Sequence, residues 1–243
     1  MASDRKFTTR FVAAIALSLP LLSGSAEAQS AESILQKARD SYVQMKSYSD
    51  TGQVIYDFGG PSPDKHTFST VFNRSPRHFL LDFHKQGGDR YVIWADPDAF
   101  HTWWKTTAQQ TDYPNPNNTP AISMSDPGSQ GTAMKIPSLL YGKAFGSAML
   151  NIADPAVDGT EEIGGRRCYR ITGRMSDVYA ATGREVNIRK VTVWIDSGSF
   201  LVFKMVEEPK TVPGQTNRKT TIYEPQANPA LDDAKFKFTP PTQ

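Results

Sequence analysis

Four histidines crowd one stretch of this 243-residue chain, His66, His78, His84 and His101, with Asp82 and Asp89 among them. Three or four such ligands brought together would make a zinc site. His78, Asp82 and His84 have the parity of one strand face, yet they alternate with Phe79, Leu81 and Phe83, a pattern that a half-solvated strand produces without a metal. No helical His-x-x-x-His spacing accompanies them, so no metal ligand is assigned. The single cysteine, Cys168, lies in Arg166-Arg167-Cys168-Tyr169-Arg170, where flanking cations would favour a thiolate. No His or Asn lies near it in sequence to complete a catalytic set, and the alternation around it reads as a buried structural thiol. Glu161-Glu162 and Glu207-Glu208 are adjacent carboxylates, which a strand sends to opposite faces, so neither pair can work on one substrate atom. With no GxSxG, Walker-type or GxGxxG loop, the chain is expected to bind and not to catalyse, and no cofactor is implied.

Charge and the N-terminus narrow the setting. There are 27 Lys and Arg against 25 Asp and Glu, and the basic residues are interspersed among acids and apolar residues, so no nucleic-acid surface is expected. Arg5, Lys6 and Arg10 precede an apolar run from Phe11 to Leu22, and Ala26-Glu27-Ala28 follows. That is the pattern of a signal peptide over residues 1–28, cleaved between Ala28 and Gln29. No Cys follows the run to take a lipid, and no later stretch has the length of a membrane helix. The expected product is a periplasmic protein that does not span the membrane, with residues 29–243 as a single domain.

The elements that must position any site follow from periodicity. Ile34, Leu35, Ala38, Tyr42 and Met45 define an amphipathic helix over about Ala31–Lys46, with Ser30 as N-cap. Period-two runs then predict strands near Thr51–Phe58, Lys65–Asn73, Arg77–Lys85, Asp89–Ala95 and Ala99–Thr106. A second group falls near Thr160–Ile163, Arg166–Arg174, Arg184–Ile195, Phe200–Glu208 and Thr216–Tyr223, with a tight turn at Asp196-Ser197-Gly198-Ser199. Between the groups, residues 112–118 are rich in Pro and Asn. Gly131–Leu150 follows, apolar and interrupted by Gly142 and Gly146, and reads as one or two short helices. This is an α+β chain whose sheet of roughly ten antiparallel strands is wide enough to curl.

The opening helix Ala31-Glu32-Ser33-Ile34-Leu35-Gln36-Lys37-Ala38, the hairpin Val191–Asp196 to Phe200–Lys204, and the ending Phe236-Lys237-Phe238-Thr239-Pro240-Pro241 resemble the outer-membrane lipoprotein carrier superfamily. The similarity is nearest to its exported periplasmic branch of the DUF2092 type. The resemblance implies a strongly curved, incomplete barrel with helices covering its concave face, and an apolar cavity that holds a lipid, an acyl chain or a lipidated protein. A module that binds another envelope protein through the same fold is the alternative. Trp94, Phe100, Trp103 and Trp104 are not matched to the carrier.

For the cavity, one face of each strand supplies Phe79, Leu81, Phe83, Ile93 and Trp104 from the first group and Val193, Phe203 and Met205 from the second. Ile136, Leu139, Leu140 and Phe145 join them from the middle segment. Trp103 and Trp104, being adjacent, must face opposite ways. Residues 136–146 need burial but contain Pro137, Gly142 and Gly146, a composition suited equally to a fixed core helix or to a lid that opens.

Overall fold

The computed structural model describes residues 29–114, 127–141, 149–179, 184–209 and 217–241. Helix α1 (Ala31–Gln44) starts at Ser30, whose Oγ accepts from the Ser33 amide at 3.2 Å, and Glu32 sits in the first turn, where the helix dipole favours an acid. Ala31, Ile34, Leu35, Ala38 and Tyr42 form its buried stripe. The helix stops short of Lys46 because Met45 is already extended and leads into the sheet.

Twelve strands follow: β1 (Ser47–Asp57), β2 (Asp64–Arg74), β3 (Arg77–His84), β4 (Arg90–Ala95), β5 (Phe100–Trp104), β6 (Gln109–Tyr113), β7 (Ala153–Ile163), β8 (Arg166–Tyr179), β9 (Arg184–Asp196), β10 (Val202–Pro209), β11 (Arg218–Tyr223) and β12 (Gln226–Ala227). They form one antiparallel sheet in the order β6-β5-β4-β3-β2-β1-β11-β10-β9-β8-β7, with β12 on the start of β1. The edge strands β6 and β7 do not pair with each other, so the sheet is open. Two meanders meet along the β1–β11 ladder, and the connection from β6 to β7 runs from one edge of the sheet to the other. Its described parts carry the short helix α2 (Ile136–Leu140).

The count exceeds ten because of strands that carry little apolar signal. In β6 (Gln109–Tyr113) all but Tyr113 are exposed, and backbone pairing to β5, from Phe100↔Tyr113 to Trp104↔Gln109, makes it a strand. β7 extends back to Ala153 in the same way, its residues mostly exposed.

Pairing carries side-chain parity from strand to strand, so one sheet face collects Tyr48, Val54, Phe68, Phe72, Phe79, Leu81, Phe83, Ile93 and Phe100, then Tyr223, Met205, Val193 and Ile171. This inner face and the apolar stripes of α1 and α2 share one buried core. Gly52 has no side chain where Phe68 and Tyr223 meet edge to face: a Cβ there would run into the Phe68 ring and the Ile222 carbonyl.

The outer face of β3–β5 is covered by the C-terminal segment. A 3₁₀ turn, Asp233–Phe236, is capped by Asp232 and sets Phe236 against His78, ring centroids 5.4 Å apart. Phe238 packs on Trp94 at 5.0 Å and Trp103 at 5.4 Å, with the Arg90 guanidinium 5.1 Å from its ring. Trp103 is therefore buried on the outer side, while Trp104 points inward beside Tyr91.

Candidate functional site: an apolar inner face with a charged end

Of the residues expected to line a cavity, Phe79, Leu81, Phe83, Ile93, Val193, Met205, Ile136, Leu139 and Leu140 all lie in the shared core. Trp104 packs at its margin, half-buried, and its Nε1 donates to Asp89 Oδ2 at 2.6 Å. Phe203 also packs against the core, half-buried: the β9–β10 ladder slips between Val202 and Lys204, so Phe203 is the extra residue of a bulge, with the Arg166 guanidinium 5.2 Å from its ring. Val202 takes the fully buried position there. Phe145, with Gly142 and Gly146, lies outside the described residues, as do residues 1–28. The helix stripe includes Tyr42, but the strand pattern gave no sign of Tyr48 and Tyr223, and all three are among the largest fully buried side chains.

Side chains, not strand ladders, tie the helices to this face. Tyr42 Oη accepts from the Val202 amide at 3.0 Å, and Arg39 donates to Leu150 O at 2.9 Å. Arg74, at the end of β2, donates to Met45 O at 2.6 Å, Tyr42 O at 3.1 Å and Leu140 O at 3.2 Å. One guanidinium thus gathers the last carbonyls of both helices, where a cation also meets the negative dipole ends.

Two buried carboxylates interrupt the apolar face. On β1, Asp50 accepts from Tyr48 Oη at 2.7 Å. Burial pushes its carboxyl up to about 7, against the neighbouring Thr70 and the Tyr48 hydroxyl, which pull it down. On β10, Glu207 Oε1 accepts from Lys135 Nζ at 2.7 Å and Arg189 Nε at 2.8 Å. Burial alone would raise Glu207, but the positive charges of Lys135, Lys219 and Arg189 hold it down at about 2. Lys219 donates to Gln130 O at 3.0 Å, and burial, with Lys135 beside it, lowers its ammonium to about 8. In the sequence Glu207 stands out only as half of an adjacent carboxylate pair. The face assignment was right, since Glu208 on the other side accepts from exposed Arg218 at 2.9 Å, but Lys135 lies 72 residues away in sequence from Glu207 and no local pattern links them.

The other candidates have structural partners. Asp82 takes a two-point bond from Arg90, at 2.7 and 2.6 Å, with His84 Nε2 at 3.0 Å on the outer face. His66 Nδ1 accepts from the Gln86 amide at 2.9 Å, and His101 contacts Asp112 at 2.8 Å. Among the described residues no group of three or more His, Cys, Asp or Glu converges as a metal site. Cys168 is buried, and burial together with Asp196 pushes its thiol up to about 11, away from a nucleophilic thiolate.

The sequence model of one family, described as a predicted periplasmic protein (DUF2092), matches residues 31–243. Comparison with curated proteins finds no match. Among solved structures, the lipoprotein LppX of Mycobacterium tuberculosis is similar at 12% identity and TM-score 0.47, covering 83% of this chain and 98% of its own. A LolA superfamily protein of Nitrosomonas europaea is similar at 11% identity and TM-score 0.35, covering 87% and 99%. MucB of Pseudomonas aeruginosa, in complex with MucA, is similar at 15% identity and TM-score 0.45, covering 86% and 61%. No helix among the described residues is long and apolar enough to cross a membrane.

Proposed function

From the premise that the chain belongs to the DUF2092 family of predicted periplasmic proteins, we propose that residues 29–243 act as one periplasmic carrier domain for a lipid, acyl chain or lipidated protein. In this reading residues 1–28 direct export, the inner face is the concave side of a curved sheet, and α1 and α2 cover it. The observation that carries the proposal is how the core is closed. The inner face of an open sheet shares its buried core with two helices, which are joined to the rest of the chain by packing and by the side chains of Tyr42, Arg39 and Arg74. Moving the cover breaks no strand ladder. Each CH₂ taken out of water against this face contributes ~0.8 kcal/mol, so an acyl chain can gain affinity by burial alone. Within this reading, α2 is the part assigned to open, being only five residues long with Pro137 at its start.

Mass spectrometry of the gently purified protein tests this, followed by titration with fluorescent acyl probes at micromolar concentration. Co-purified lipid or saturable probe binding is expected; absence of both ends the carrier reading. Hydrogen exchange across residues 136–146 tests the opening: strong protection in the empty protein, unchanged by acyl probe, rules out the lid.

A further inference from the structure

At the second-meander end of the inner face lies a pocket of about 330 Å³, within the lower range of ligand sites. Its rim carries Lys135, Arg189 and Lys219, and its lining includes Met134, Met149 and Met175. Met149 and Met175 belong to the buried core and Met134 packs against it, so the pocket floor is continuous with the apolar inner face. Methionine is flexible and polarizable, which suits a floor that must adapt to a chain of variable path.

Two carboxylates face the three cations. Glu207 holds Lys135 and Arg189 through Oε1, and Asp177 Oδ1 accepts from Arg189 at 3.2 Å. One positive charge is left in excess, and it resides on Lys219: that ammonium makes no ion pair among the described residues and donates to the neutral carbonyl of Gln130 at 3.0 Å. Lys135 and Glu207 are both more than nine-tenths buried, so the cationic rim is held rigidly from below. A half-buried ammonium that shares Glu207 with two closer cations and otherwise meets only the Gln130 carbonyl and, at 5.3 Å, the Tyr56 ring stands above an apolar floor, and is complementary to a molecule with a negative end and a hydrocarbon end. The pocket reaches solvent beside exposed Asn151 and Asp177, which gives the charged end its way in.

We propose that this pocket binds the head group and first carbons of an acylated anion, its carboxylate or phosphate at Lys219 and its chain on the methionine floor. The inference rests on the carrier reading and adds the class of head group and its place.

Calorimetric titration of the purified protein with dodecyl phosphate, dodecanoate, dodecyl maltoside, dodecyltrimethylammonium and inorganic phosphate tests it. Both anionic amphiphiles should bind roughly tenfold or more tightly than the cationic one, as expected for a charge-assisted contact in a half-buried site. Lys219→Gln should remove that preference and Lys219→Arg should retain it. Asn151→Asp, which puts a negative charge at the exposed mouth of the pocket, should also weaken both anions. Binding that ignores head-group charge, or that is unchanged in Lys219→Gln and Asn151→Asp, overturns the inference and leaves the carrier reading standing. Inorganic phosphate binding as tightly as dodecyl phosphate overturns it too, by showing an anion site with no use for the chain. If no amphiphile of any charge binds, the carrier reading falls with it.

Discussion

Asp50 and Glu207 are two buried carboxylates on the same sheet face, one in each half of the molecule, and they are driven in opposite directions. Asp50 sits in the first meander among Tyr48, Thr70 and aromatic rings, where its partners are neutral hydroxyls and burial dominates. Glu207 sits in the second, where Lys135, Arg189 and Lys219 surround it. A hydroxyl can share a hydrogen bond but cannot cancel a charge, so the first half favours a protonated acid and the second an ion cluster. The first half is accordingly built as an aromatic core, with Phe72, Phe79, Phe100 and Tyr141 in mutual ring contact, and the second ends in a charged, methionine-floored pocket.

The largest break in that contrast is expected from Glu207→Ala. It leaves Lys135 and Arg189 without their shared partner, and loss of one member of a buried ion pair costs about 3–5 kcal/mol, read by urea unfolding at pH 7. The ordinary value of this carboxyl is 4.5 and the folded one about 2, so its contribution is present above 4.5 and is lost as pH falls toward 2. The gap between wild type and variant should close over that window. A constant gap down to pH 2 would show that the cluster does not stabilise the charge.

Asp50→Asn should act with the opposite sign. The folded state keeps a proton up to about pH 7 that the unfolded chain releases near 3.8, so stability falls as pH rises between those values. The neutral amide removes that loss while Tyr48 keeps an oxygen to donate to. A gain on the order of 2 kcal/mol at pH 8, vanishing near pH 4, is expected from thermal or urea unfolding. Destabilisation at pH 8 would contradict it.

Tyr48→Phe sharpens the same comparison at smaller scale. It takes from Asp50 Oδ2 its 2.7 Å donor, at a cost of about 1–2 kcal/mol above pH 7, and moves the Asp50 titration still higher, measurable by carboxyl NMR. Arg218→Ala supplies the limiting case. Its partner Glu208 is the chain neighbour of Glu207 but lies on the outer face in water, and the variant should change stability by roughly 0.5 kcal/mol or less.

Much of the fold was legible in the sequence because strand parity is a local property. The alternation of Phe79, Leu81 and Phe83 with His78, Asp82 and His84, the opposite facing of Trp103 and Trp104, and the separation of Glu207 from Glu208 follow from a repeat of two. The helix stripe from Ile34 to Tyr42 follows from a repeat of 3.6 in the same sense. What escaped was set by partners distant in the chain. β6 is a strand because β5 offers it a ladder, Val202 takes the fully buried place beside Phe203 because the β9–β10 ladder slips there, and Trp103 is buried by Phe238 from the far end of the chain.

The candidate site divides along the same line. Apolar residue types and their periodicity determined which face of each strand is buried, since a side chain needs only its own strand to know its side of the sheet. The charge states of Asp50, Glu207 and Lys219 were decided by tertiary structure, because an ionisable group responds to the water it loses and to the charges within a few ångströms. Lys135 and Glu207 reach 2.7 Å only when the segment joining the two meanders crosses from one sheet edge to the other, and no local pattern encodes that crossing.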